Sequence, residues 1–149
     1  REMARVAGPG GLVAAREADF GGMVWYPRVP EMDDWLALYS RVARSNSGEP
    51  DAGRRMVAWA HGAGFEPAGL TVSASAWTYA GPDAPWWGES WADRMCKSAV
   101  ADRAVELDLA DRAALERIAG GKLAWSTAPD AIFTVTSVEI LYRVPGTKG

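Results

Sequence analysis

Pro9-Gly10-Gly11-Leu12-Val13-Ala14-Ala15-Arg16-Glu17-Ala18-Asp19-Phe20 is the stretch whose reading decides the fold. A Pro-Gly-Gly turn enters a short apolar run, Leu12 to Ala15, with little alternation. Such a run suits a strand covered on both faces, as in parallel α/β sheets. Charges then arrive together as Arg16, Glu17 and Asp19. Ligands of open α/β sheets collect beyond the carboxyl ends of strands, so a pocket is expected near Glu17, Asp19 and the aromatic segment that follows. That segment, Gly21-Gly22-Met23-Val24-Trp25-Tyr26-Pro27, is bracketed by glycines and a proline. It predicts a loop over a cavity, either plugging the core or walling an apolar substrate.

Upstream, Met3 and Val6 have helical spacing and Gly8-Pro9 stops that helix. A chain that opens at a helix end and passes straight into a buried strand reads as truncated. Downstream, residues 31–45 predict a helix. Glu31, Asp33 and Asp34 suit its positive start and Arg41 and Arg44 its negative end, with Trp35, Leu38, Tyr39 and Val42 as the apolar stripe. Asp51 reads as the N-cap of a second helix over 52–63, which buries Met56, Trp59, Ala60 and Ala63. Residues 70–80 alternate as a strand, with Leu70, Val72, Ala74 and Ala76 on one side and Thr71, Ser73, Ser75 and Trp77 on the other. Asp83 reads as the cap of a helix carrying Trp87, Trp91 and Met95 at i, i+4 and i+8. A further helix within 108–119, with Leu115 and Ile118 inward, is expected to end at Gly120-Gly121. Residues 132–144 predict the last strand, apolar on both faces at its centre and therefore central in the sheet. Pro145-Gly146 begins a tail.

Composition sets the outer bounds. The 149 residues predict one domain, and 48% apolar content is globular. A formal charge of -3 argues against a nucleic-acid partner. No apolar run approaches the roughly 18 residues that span a bilayer. Lone Cys96 excludes an internal disulfide and suits a reducing, cytoplasmic setting. Lone His61 removes multi-histidine metal sites. The sequence has no G-x-S-x-G, P-loop or H-E-x-x-H motif. Eight tryptophans are expected mostly in the core and in pocket walls.

Arg5-Val6 followed by Pro9-Gly10-Gly11-Leu12-Val13-Ala14 resembles the entry into the fifth strand of class I S-adenosylmethionine-dependent methyltransferases of the ubiquinone/menaquinone-biosynthesis type. Gly48-Glu49-Pro50-Asp51-Ala52-Gly53-Arg54-Arg55 is similar to a Gly-acid-Pro-x-x-Gly-Arg segment of many members. Ala63-Gly64-Phe65 resembles the helix end before their sixth strand, and the last two strands resemble the antiparallel sixth and seventh. The resemblance implies an α/β fold: the C-terminal, substrate-side half of a Rossmann-like methyltransferase sheet, with helices packed around three strands. Their implied order is 11–19, 132–144, 70–80, with the last strand antiparallel to both neighbours. The glycine loop and ribose-binding acid of the family precede the point where this sequence starts, so the S-adenosylmethionine site is expected mostly outside these residues.

Methyl transfer from a sulfonium is a direct displacement, in which alignment supplies much of the acceleration. A base is needed only for an acceptor with a tightly held proton. On that reading Glu17 and Asp19 are the candidate catalytic bases or acceptor-orienting groups; the plainer alternative pairs them with Arg16 or Arg54. Trp25, Tyr26, Arg54, Trp86, Trp87 and Trp91 are the candidate substrate-binding residues for a small-molecule acceptor. The alternative function is a non-catalytic binding or dimerisation module. Strand 11–19, lacking its fourth-strand neighbour, is expected to pair with a second copy or with an N-terminal fragment.

Overall fold

The computed structural model describes residues 1–146. Six helices and three strands alternate: α1 Glu2–Ala7, β1 Leu12–Tyr26, α2 Pro30–Ser45, α3 Ala52–Gly62, β2 Leu70–Ala80, α4 Asp83–Lys97, α5 Ala99–Glu106, α6 Arg112–Ser126 and β3 Ile132–Arg143. The sheet order is β1-β3-β2, as expected. Its register is antiparallel throughout. Val144 N–H donates to the Gly11 carbonyl at 2.9 Å, and Arg16 pairs with Glu139 at 3.2 Å, so β3 runs backward along β1. Ser73 donates to Glu139 at 3.0 Å and Thr78 meets Thr134 at 3.1 Å, so β3 also runs backward along β2.

The register is as expected, and it is the burial of β1 that corrects its reading as a strand covered on both faces. Val13 is buried while Leu12 and Ala14 are exposed, so burial alternates as in a half-covered antiparallel strand. The predicted loop over 21–27 is also largely absent, because β1 continues through Gly21-Gly22 to Tyr26. Two helix expectations change as well. The helix expected to stop at Gly120-Gly121 continues to Ser126. A Cβ at Gly121 would collide with the Glu31 side chain on α2, so this glycine permits close helix packing instead of ending a helix. Asp83 lies inside α4 and makes no side-chain cap bond.

The residues sort into two compact units. Unit one holds Arg1–Gly22, Asp51–Ala76 and the chain from Val135 onward. Its core is Val13, Met56, Ala60, Phe65, Ile140 and Tyr142, with the Phe65 and Tyr142 rings stacked 4.1 Å apart. Trp59, expected inside, is 48% exposed: the inward face of α3 consists of Ala52, Gly53, Met56 and Ala60. Val72 on β2 is also exposed.

Unit two holds Met23–Pro50 and Trp77–Thr134. The α2 stripe forms as read, with Met32, Trp35, Leu38 and Val42 buried. Gly88 of α4 packs where a Cβ would overlap the Ser126 side chain of α6. Trp25, Trp35, Trp91 and Trp125 are buried here, whereas Trp77 and Trp86 are exposed.

Candidate functional site

In unit one the sequence-predicted residues meet at the start of α3. Asp19 is buried on β1, and its Oδ2 accepts from the Arg54 backbone N–H at 2.8 Å. Arg54 is the third residue of α3, so Asp19 supplies from β1 the acceptor that a helix start lacks. The Arg54 guanidinium closes a two-pronged pair: Nε donates to Oδ2 at 2.8 Å and Nη2 to Oδ1 at 2.5 Å. Hydrogen bonding from Arg54 holds the Asp19 carboxyl below the usual carboxylate range, against the opposing effect of burial.

Asp51 does not cap its own helix. Its Oδ1 accepts instead from Gly21 N–H on β1, at 2.9 Å. Strand and helix thus exchange carboxylates. Two glycines make the exchange possible. A Cβ at Gly53 would lie 2.8 Å from the Asp19 Cβ, and one at Gly21 would overlap the Arg54 guanidinium. The Gly-acid-Pro-x-x-Gly-Arg segment is therefore a device for seating α3 on β1.

Glu17, two residues before Asp19 and exposed, borders a cavity of about 310 Å³. Its other walls are largely apolar and include Met3, Met56, Trp59, Phe65 and Ile140. Glu17 thus faces an apolar space, while Asp19 is locked in the frame behind it.

In unit two the predicted tryptophans gather around Phe133. The rings of Trp25 and Trp87 lie 6.3 and 4.9 Å from Phe133, centre to centre. Trp91 meets Trp87 edge-on at 5.6 Å. Tyr79 stacks on Trp87 at 4.3 Å and has Trp86 at 5.9 Å on its outer side. Tyr26 is exposed, and its carbonyl accepts from Trp125 Nε1 at 3.0 Å. Trp35, placed by the sequence on the apolar stripe of α2, belongs to this cluster, as do Tyr79, Trp125, Phe133 and, above all, Lys122; none of the five was read from the sequence as a site residue. Lys122 is completely buried, with Nζ 3.5 Å from the centre of the Trp35 ring. Burial pushes its amine down to about 6. One signal could have found it: Leu115, Ile118, Lys122 and Trp125 share a helical stripe, hidden when the helix is ended at Gly120-Gly121.

The cofactor implied by the resemblance does not find its ribose partner in Asp19. Its ribose hydroxyls need a free carboxylate. Asp19 is the one buried carboxylate among the described residues, and Arg54 occupies both its oxygens. Among the described residues no group of His, Cys, Asp and Glu is arranged to hold a metal ion, and no helix is long and apolar enough to cross a membrane.

No family model matches the sequence. The chain is 29% identical over 145 residues to an uncharacterized methyltransferase of Schizosaccharomyces pombe. The match covers 95% of this chain and 50% of that protein, so the chain spans about half the length of the curated relative it matches. A distant relative so named supports methyltransferase kinship, and the three-stranded antiparallel sheet with its six helices is consistent with part of such a fold.

Proposed function

We propose that these residues form the acceptor-side part of a longer S-adenosylmethionine-dependent methyltransferase acting on a small molecule. The observation that carries this reading is the end-to-end match of the chain to about half of a methyltransferase-named relative. The geometry supports a division of labour. Glu17, on an apolar cavity, is the group available to orient an acceptor or take its proton. Asp19 and Arg54 hold α3 in place behind it. Within unit two, Tyr26 and Trp86 are exposed and Trp87 half-buried, so these three offer aromatic surface, whereas Trp25 and Trp91, also expected to bind substrate, are buried in the core. The cofactor, when bound, supplies an activated methyl group, and the residues that hold it belong to the remainder of the protein.

β1 is an edge of the described sheet, with β3 as its one neighbour there, and its first residue, Leu12, is 53% exposed. We assign this edge to pairing, either with the remainder of the protein or with a second copy. Calorimetry tests the whole reading. The natural full-length gene product is expected to bind S-adenosylmethionine in the micromolar range, and the 149-residue chain to show no saturable binding. Tight one-to-one binding by the short chain would overturn the assignment.

A further inference from the structure

Val13, Ala15, Glu17 and Asp19 alternate onto the face of β1 that α3 covers. Val13 and Ala15 pack into the core of unit one, and Asp19 is held by Arg54. Glu17 stands between them, and among the described residues its carboxylate has no ion-pair or hydrogen-bond partner. It borders the cavity of about 310 Å³, and Trp59 forms another wall. The Trp59 ring is 48% exposed on a helix whose inward face is Ala52, Gly53, Met56 and Ala60, so core packing does not account for it. Met3 of α1, also exposed, stands at the same rim. Arg1 lines the cavity too, but its guanidinium donates to the Ala63 and Gly62 carbonyls at 3.4 and 3.5 Å, at the negative end of α3. An unpartnered carboxylate and an uncovered ring thus share one apolar cavity that opens to solvent.

We propose that this cavity receives a small apolar amine, its ammonium against Glu17 and its hydrocarbon body over Trp59, Met56 and Phe65. The proposal rests on the acceptor-side reading and gives the acceptor its chemical class. Three features select that class. A carboxylate without a partner takes a charge-assisted hydrogen bond from an ammonium. An aromatic wall in the same cavity attracts a cation by its ring face. The remaining walls are apolar and favour burial of a hydrocarbon. An acid would meet Glu17 with like charge, and a neutral hydrocarbon would leave the carboxylate unanswered. Glu17 and Trp59 both lie at the surface, so the ligand reaches them without unpacking the core.

The test is calorimetry of the 149-residue chain at neutral pH with 1-naphthylmethylamine, which is then a cation. The neutral 1-naphthalenemethanol serves as control. The expected result is saturable one-to-one binding of the amine, with the alcohol at least about tenfold weaker. Glu17→Gln is expected to bring the amine down to the affinity of the alcohol and to leave the alcohol unchanged. Trp59→Ala is expected to weaken both probes. Both side chains are exposed, so each variant should keep the wild-type circular dichroism. Failure of the amine to bind the wild-type chain, or equal binding of amine and alcohol, overturns the proposal whatever the variants do. A preference for the amine that survives Glu17→Gln, or affinities that Trp59→Ala leaves unchanged, overturns it as well. The assay contains no S-adenosylmethionine, so its failure leaves methyl transfer to a neutral acceptor intact. Conversely, failure of the full-length product to bind S-adenosylmethionine leaves the amine site intact.

Discussion

Unit one and unit two handle a buried charge in opposite ways. In unit one, Asp19 is enclosed together with its partner: three hydrogen bonds from Arg54 reach its two oxygens. In unit two, Lys122 is enclosed by ring faces and a thioether. A satisfied ion pair fixes geometry and leaves nothing for a ligand to do. A buried amine surrounded by unpartnered donors weakens its own fold. The comparison separates a pair that holds α3 on β1 from an amine whose burial costs unit two stability.

The sharpest way to break this contrast is to remove the amine. The folded-state value for Lys122, about 6, lies below its ordinary 10.5. Stability is therefore highest above pH 10.5, falls as pH drops toward 6 because the unfolded chain takes the proton first, and levels off below 6. At about 1.4 kcal/mol per unit, up to about 4 kcal/mol is lost between pH 10 and pH 7, less what the Trp35 face returns to the cation. Urea titrations should show this slope in the wild type, and Lys122→Met should be flatter and more stable at neutral pH. A wild type with no such slope would remove the contrast.

Next in size is the frame of unit one. Asp19→Ala should cost about 2–3 kcal/mol, since it strips a charged acceptor from Arg54 and from the start of α3. The sign with pH is the same as for Lys122, but the window lies in the carboxylate range. Because the folded-state value of Asp19 is depressed, its contribution is present above the ordinary carboxylate range and lost as pH falls below about 4. Denaturation of both proteins across pH 2–7 checks this, and the difference between them should shrink at the acid end.

Smaller effects sharpen the account. Gly53→Ala places a methyl 2.8 Å from the Asp19 Cβ and should lower stability by about 1 kcal/mol net, the steric cost outweighing the gain in helix propensity. Thermal melts can resolve that. Trp59→Ala should change stability by less than about 0.5 kcal/mol, because the ring is half exposed.

What was legible in the sequence follows from the range of each force. The strand order, with residues 132–144 in the middle, followed from the apolar centre of that strand and from the family resemblance. The stripe Trp35, Leu38, Val42 and the boundaries of β2 followed from periodicity. Three features resisted. Gly21-Gly22 read as a loop because glycine usually breaks a strand, yet here the missing side chain makes room for Arg54, 33 positions on. Gly120-Gly121 read as a stop for the same reason, and its true role is contact with Glu31. Asp51 read as a cap because it precedes a helix, and the strand's Gly21 claimed its carboxylate. In each case a long-range contact overrode a local preference. Lys122 was lost with the last turn of its helix.

The contrast between the units is tested most directly by the indole resonances. With one tryptophan in unit one, Trp59, and seven in unit two, an ¹⁵N spectrum of the chain reports on both at once. Lowering the pH from about 8 to about 5, through the Lys122 value near 6, is predicted to move the indole N–H signals of Trp35 and Trp91, whose rings lie 3.5 and 5.6 Å from the amine, more than that of Trp59. A spectrum in which Trp35 and Trp91 shift no more than Trp59 would contradict the account.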